Sequence, residues 1–291
     1  MECYAGGFTR KKIALLLALV LPCCLTLTAL AEGDPAPNYP AQDFSCMNGD
    51  KTIRGQILLP LGAEGKLPTV ILCHGYNTNY AQVPINYAKG IVGNGYACVM
   101  FDFCGGSSKS TSDGVGTEMS LFTEEEELKL VMDVVEDMDF VDAEQLFLLG
   151  ISQGGFVTAM AAAAVPEKVK ALVLVFPAFS AKDDAKKQFA SLEEIPEDYK
   201  LMNFTIGRFY YEKLWDFDHL ADIVRYTGDV LIMHGTNDRL VPMSYSEEAQ
   251  AAYASATLIP VEGAGHGFRG EVLAGALVHI NDFLKAHTES K

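Results

Sequence analysis

Short apolar runs, each followed by a longer stretch with helical spacing, organise this chain from about residue 51 onward. Val70-Ile71-Leu72-Cys73, Tyr96 to Phe103, Gln145 to Leu149, Lys170 to Phe176, Asp229 to Met233 and Ala256 to Val261 are strand-length runs with little polar interruption. Such runs predict strands covered on both faces, as in a parallel sheet. Ile85–Val92, Leu121–Met138 and Phe156–Ala164 read as helices, the second with Leu128, Val131, Val134, Val135 and Met138 at helical spacing. Ahead of them, Pro40 to Gly62 predicts an antiparallel pair, with alternation along Thr52 to Leu59. Strands alternating with helices predict an α/β protein with a doubly wound, mainly parallel sheet.

The alternation breaks once. Residues 178–226 hold mixed acidic and aromatic sequence where a short crossover would suffice, which predicts a small inserted cap subdomain over the carboxyl edge of the sheet. Most of its aromatic residues, Phe204, Phe209, Tyr210, Tyr211, Trp215 and Phe217, are expected to form its own core. One or two tyrosines can instead face the cleft, giving an apolar wall with a polar tip.

Against this pattern one stretch carries chemistry. Gly150-Ile151-Ser152-Gln153-Gly154 joins a buried-strand run directly to a helix-forming run. A serine hydroxyl is a weak nucleophile, and a sharp strand-to-helix turn with flanking glycines exposes it to a base. Ser152 is the candidate nucleophile. Asp238 follows the strand run 229–233 in His234-Gly235-Thr236-Asn237-Asp238, and His266 follows the run 256–261 in Gly263-Ala264-Gly265-His266. The order Ser, Asp, His with each member after a strand is that of an acyl-transfer triad. His279 in the apolar C-terminal helix, His287 in the tail, His219 in an acidic segment and His234 ahead of the Asp238 turn suit the base less well. The backbone N–H of Gln153, after the nucleophile, and that of Tyr76, leaving the early strand through His74-Gly75, are the candidate oxyanion donors.

Composition fits a single large core: 291 residues, 49% of them hydrophobic. The formal charge is −16, and loss of residues 1–31, with three basic residues and one acid, takes it to −18. Such a surface repels phosphate backbones, so no nucleic-acid partner is expected. Arg10-Lys11-Lys12, an apolar run from Ile13 to about Leu30 and Ala29-Leu30-Ala31 before a polar stretch read as an export signal cleaved after Ala31. An uncleaved membrane anchor is the alternative; after cleavage no stable membrane association is expected. Residues 32–50 then form a linker and first-strand region, and 51–291 the main domain. Cys46, Cys73, Cys98 and Cys104 remain, and no spacing among them demands a disulfide. No metal-binding pattern is present, so neither metal nor cofactor is expected. Glu124 to Glu127 are read as first-turn acids that complement a helix macrodipole.

From about Lys51 to Phe283 the chain resembles the α/β-hydrolase superfamily, and within it the bacterial cinnamoyl or feruloyl esterases. The segments that carry the resemblance are His74-Gly75-Tyr76, Phe101-Asp102-Phe103 with its Gly/Ser loop, Gly150 to Gly155, His234 to Asp238 and Gly263 to His266. The resemblance implies a serine esterase whose partner is a small-molecule or polysaccharide-linked ester. It further implies an inserted subdomain that contacts the phenolic end of the substrate through an acid and a tyrosine, which match Asp184 and Tyr210. Ile151 departs from the histidine that many relatives carry before the serine. A serine peptidase or lipid acyl hydrolase uses the same triad, and an exported binding module without turnover is a third reading.

Overall fold

The computed structural model describes residues 38–288, and Tyr39 onward forms one compact unit. The expected export signal lies outside the described residues. In chain order the elements are β1 (Ala41–Asn48), β2 (Lys51–Leu58), β3 (Leu67–Cys73), α1 (Pro84–Val92), β4 (Ala97–Asp102), α2 (Leu121–Glu136), β5 (Val141–Ile151), α3 (Gln153–Ala164) and β6 (Ala171–Val175). They continue with α4 (Ala181–Gln188), β7 (Asp198–Leu201), β8 (Phe204–Gly207), α5 (Phe209–Glu212), α6 (His219–Ile223), β9 (Asp229–Gly235), α7 (Ser244–Ala252), β10 (Ala256–Val261) and α8 (Gly270–His287).

Eight strands form one sheet in the order β1-β2-β4-β3-β5-β6-β9-β10. The first three in that order pair antiparallel, and every pairing from β4 to β10 is parallel. The sheet is thus doubly wound and mainly parallel, as the alternation of runs predicts.

Neighbouring residues on each strand divide between two cores, because successive side chains point to opposite faces. Ile71, Val99, Phe101 and Leu148 pack with α2 and α3, while Val70, Leu72, Met100 and Leu149 pack with α1 and α8. Ser120 starts α2 with a reciprocal cap: its Oγ accepts from the Thr123 N–H at 3.2 Å, and Thr123 Oγ1 accepts from the Ser120 N–H at 2.8 Å.

Between β6 and β9, residues 176–228 hold α4, the antiparallel β7–β8 hairpin, α5 and α6. Tyr210, Tyr211, Phe204 and Ile206 from this insertion are buried, and Phe156 of α3 meets Phe179, Phe217 and His219 edge-on or stacked. Most of the insertion's aromatic residues therefore serve packing.

The acids of α2 differ from the sequence expectation. Glu124 and Glu127 are buried, at 1% and 3% exposure, because they share a helical face with Leu128, Val131 and Val135. Among the described residues Cys46, Cys73, Cys98 and Cys104 are free thiols. Among those residues too, no helix is long and apolar enough to cross a membrane, and no cluster of His, Cys, Asp or Glu could hold a metal ion.

Candidate active site

Ser152 stands between β5 and α3 with φ 55° and ψ −118°, a backbone conformation that L residues rarely adopt. Tight packing holds it there. A Cβ at Gly150 would lie 2.1 Å from Thr158 Oγ1, and one at Gly154 would lie 2.4 Å from the His74 carbonyl oxygen. No side chain fits at either position, so the glycines let α3 press against β5 and the loop after β3.

The three residues predicted from the sequence meet at the carboxyl edge of the sheet. Ser152 Oγ lies 2.8 Å from His266 Nε2, and His266 Nδ1 lies 2.7 Å from Asp238 Oδ2. A carboxylate only accepts, so Nδ1 carries the proton and Nε2 is free to accept from the serine hydroxyl. Asp238 has a second histidine partner, which sequence reasoning set aside. His234 Nε2 is 3.2 Å from the same Oδ2 and 2.9 Å from the Val241 carbonyl oxygen, both acceptors. Nε2 of His234 therefore holds its proton, and Nδ1 accepts from Ser246 Oγ at 2.7 Å. The available signal was its position four residues before Asp238, at the end of the strand that presents it.

Asp238 Oδ1 also accepts the N–H groups of Leu240 at 2.9 Å and Val241 at 3.0 Å. Burial alone would raise the pKa of this carboxyl. Donation from His234, His266 and the Val241 N–H overrides that and holds it well below the usual carboxylate range.

The loop after β3 brings the expected oxyanion residues to the serine. His74, buried, donates from Nδ1 to the Gly75 carbonyl at 2.8 Å and accepts the Phe103 N–H at Nε2 at 3.0 Å. This fixes the loop so that Gly75 lies against Ser152, with only 3.1 Å between a Cβ at Gly75 and that of the serine. Tyr76 follows directly. Gln153 is the first residue of α3, where an N–H has no carbonyl within the helix to bond.

Behind this edge lies a buried polar line that the sequence did not reveal. Tyr210 Oη donates to Gln153 Oε1 at 2.7 Å, and Gln153 Nε2 donates to Glu124 Oε2 at 2.8 Å. Oε1 of Glu124 has no partner among the described residues. Burial, reinforced by the nearby Glu127, raises the Glu124 pKa well above the usual range, more than the Gln153 bond lowers it. Glu127 accepts from the Cys104 N–H at 2.8 Å, yet burial pushes its pKa up to about 7.

A cavity of about 880 Å³ opens over Ser152 and His266, with Tyr76, Phe176, Leu201, Met202 and Tyr211 among the side chains that line it. Asp184 and Tyr210 also line it. The Asp184 carboxylate accepts from Ser180 Oγ at 2.7 Å and pairs with Lys187 at 3.0 Å, and the Tyr210 hydroxyl is engaged by Gln153.

Residues 68–208 match the family model described as the alpha/beta hydrolase fold. The sheet order, the serine turn after β5 and this match agree. The chain has the α/β-hydrolase fold. A similar curated protein is the mitochondrial palmitoyl-protein thioesterase ABHD10 of Rattus norvegicus, 30% identical over 197 residues, 62% of this chain and 61% of the rat protein. The matched part thus spans less than two thirds of that relative. Among solved structures, Est1E from Butyrivibrio proteoclasticus with bound ferulic acid superposes with a TM-score of 0.77 at 23% identity, covering 84% of this chain and 98% of Est1E. The mouse alpha/beta hydrolase domain-containing protein 10 gives a TM-score of 0.65 at 20% identity, covering 85% of this chain and 100% of its own. At such identities the likeness to these structures is one of α/β-hydrolase fold.

Proposed function

We propose that the chain is an exported serine esterase that hydrolyses carboxylic esters through an acyl-enzyme, with aromatic cinnamoyl- or feruloyl-type acyl groups or other small acyl groups as substrates. The observation that carries this is the continuous line Ser152 Oγ to His266 Nε2 at 2.8 Å and His266 Nδ1 to Asp238 at 2.7 Å, opening on the cavity. His266 takes the hydroxyl proton as Ser152 attacks the ester carbonyl, while Asp238 orients the ring and stabilises the imidazolium. The Tyr76 and Gln153 amides receive the developing oxyanion. The alcohol departs with a proton from His266, and water activated by the same ring releases the acid. This chemistry requires no cofactor.

The aromatic preference rests on the tyrosine- and phenylalanine-lined side of the cavity and on the ferulic acid bound by Est1E. Asp184 and Tyr210 are the residues offered for contact with the phenolic end. A thioester substrate is a second reading, favoured by the similarity to the rat palmitoyl-protein thioesterase. Export rests on the basic, apolar and small-residue order of residues 10–31.

The test is hydrolysis by the purified protein, with Ser152→Ala as control, of methyl ferulate, 4-nitrophenyl butyrate, a long-chain acyl thioester and an aminoacyl nitroanilide. Ferulate turnover at or above that of the short ester, lost in the control, is expected. Thioester turnover alone would replace the ester reading, nitroanilide cleavage would make it a peptidase, and silence on all four would leave a binding module. Export is checked by the mass of protein secreted from a bacterial host, expected to begin at Glu32.

A further inference from the structure

The two residues offered as oxyanion donors, Tyr76 and Gln153, stand on different elements, one in the loop after β3 and the other at the start of α3. A backbone N–H is only as well placed as the chain that carries it. Both residues are tied by their side chains to one further element, the insertion between β6 and β9. Tyr76 Oη donates to the Leu201 carbonyl at the end of β7, at 3.0 Å. Gln153 Oε1 accepts from Tyr210 Oη of α5, at 2.7 Å. Leu201 and Tyr210 flank β8, so a single hairpin arm supplies both ties.

We propose that the insertion positions the oxyanion hole as well as lining the cavity, with Tyr76 and Tyr210 as positioning residues whose hydroxyls hold the Tyr76 and Gln153 peptides in place. The proposal rests on the acyl-transfer reading above. The tie at Gln153 leaves its side chain no second orientation. Gln153 and Tyr210 are each 3% exposed, and the far end of the Gln153 amide donates to Glu124. A buried amide that turned away would leave three polar groups unpartnered, which costs far more than the bonds contribute on balance. An apolar pair would avoid desolvating the amide and the phenol; what the polar pair adds is direction.

The insertion also reaches the opposite end of the same peptide group. The Ser152 carbonyl accepts the N–H groups of Gly155 at 2.9 Å, Phe156 at 3.2 Å and Ala178 at 3.0 Å, and Ala178 belongs to the insertion. Because a peptide is planar, holding that carbonyl fixes the direction of the Gln153 N–H. The arm that makes the ties is itself firmly seated. A Cβ at Gly207 would lie 2.4 Å from the Thr117 carbonyl oxygen, so the end of β8 runs in backbone contact with the segment that leads into α2. Phe204 and Tyr210 meet the Tyr76 ring edge-on, with centroids 5.8 and 6.4 Å away.

The experiment measures kcat and KM on methyl ferulate and 4-nitrophenyl butyrate, together with inhibition by hexyl trifluoromethyl ketone. Ser152 Oγ adds to the ketone carbon, its proton passes to His266, and the carbonyl oxygen becomes an oxyanion that cannot go on to product. Tyr76→Phe and Tyr210→Phe are each expected to lower kcat about five- to tenfold on both esters and to weaken the ketone by a similar factor. KM should move less than about twofold, because acylation and deacylation pass through oxyanions at the same place. Tyr226→Phe is the matched control. Tyr226 also belongs to the insertion and donates a buried hydroxyl to a backbone carbonyl, that of Val169 at 3.2 Å, but Val169 precedes β6, at the opposite end of the strands from Ser152. Its kcat, KM and ketone inhibition are expected to stay within about twofold of the unsubstituted protein. Gln153→Met removes the amide at similar length, and adding Tyr210→Phe to it is expected to cost nothing further. A rise in KM for ferulate alone, with kcat unchanged, would reduce Tyr210 to a contact with the acyl group and overturn the proposal. So would equal kcat losses in Tyr226→Phe, full additivity with Gln153→Met, or unchanged kcat in Tyr76→Phe and Tyr210→Phe. No turnover of either ester by the unsubstituted protein would remove the ester reading and the proposal with it, whereas turnover with an unmoved kcat in the variants removes the proposal alone.

Discussion

Asp238 and Glu124 are both buried carboxyl groups within reach of the serine turn, one directly and one through Gln153, yet their environments favour opposite charge states. Asp238 receives two imidazole N–H groups and two backbone N–H groups, and its pKa is held down. Glu124 receives one amide, has an unpartnered oxygen and Glu127 nearby, and its pKa is driven up. Burial is common to both; the supply of donors differs. A turn after a strand has backbone N–H groups to spare, as Leu240 and Val241 show. A helix consumes its own, and the Glu124 N–H already bonds the Ser120 carbonyl. The surroundings therefore favour the ionised form of Asp238 and the protonated form of Glu124.

The largest test of this contrast makes the same substitution in both. Asp238→Asn is expected to lower kcat on the preferred ester by about 10⁴-fold, since the amide no longer imposes the required His266 tautomer. Glu124→Gln supplies a neutral group of the same shape, the form that burial favours, and steady-state kinetics should show a change in kcat of less than about threefold. A large loss there would mean that Glu124 works as an anion and would break the comparison.

A smaller effect is expected at His234. His234→Leu removes one donor to Asp238 and leaves Ser246 and the Val241 carbonyl without their partner. Loss of a hydrogen bond to a charged group, about 1.5–3 kcal/mol, corresponds to roughly 10–100-fold in kcat/KM. His234→Gln can still donate and should recover part of it. Equal losses in the two variants would argue that His234 serves packing rather than the orientation of Asp238.

The smallest effect is on stability against pH, and its sign differs between the two regions. Glu127 binds its proton more tightly when folded, with a pKa of about 7 against 4.5 for the free group, so its contribution is present below about 4.5 and is lost as pH rises through 7. The shift corresponds to about 3 kcal/mol. Asp238 acts the other way: its contribution is present above about 4 and is lost as pH falls through its depressed folded pKa. Thermal melts of Glu127→Gln should therefore show a flatter decline between pH 4.5 and 7 than the unsubstituted protein. Parallel profiles would show that Glu127 does not titrate in that window.

The sequence disclosed one of these regions far better than the other. Ser152, Asp238 and His266 each follow an apolar strand run, and the residue that ends such a run falls at the sheet edge wherever the strand is placed. The fold class and the meeting of these three side chains were legible for that reason. Glu124 and Glu127 were read as first-turn acids that complement the helix macrodipole, although their spacing with Leu128, Val131 and Val135 already put them on the buried face; charge outweighed periodicity. His234 was hidden by its own strand, since only the return of the chain at Val241 and Ser246 gives its ring a purpose. Insertion aromatics such as Phe204 and Tyr211 were legible as packing residues, but the bond from Tyr210 to Gln153 depends on tertiary contact.

Strand β9 pairs with β6 in unbroken parallel register, Ala171 beside Asp229 through Val175 beside Met233, despite the long excursion of residues 176–228 between them. The sheet edge that carries Ser152, Asp238 and His266 and the lining above it are in this sense separate components joined at one seam in the sheet. A change in the length or sequence of the insertion is expected to alter the cavity lining while the strand ladder, and with it the placement of Ser152 and Asp238, is kept. Tyr210 is the fastening such an exchange must respect, because its hydroxyl reaches back to Gln153 beside the serine.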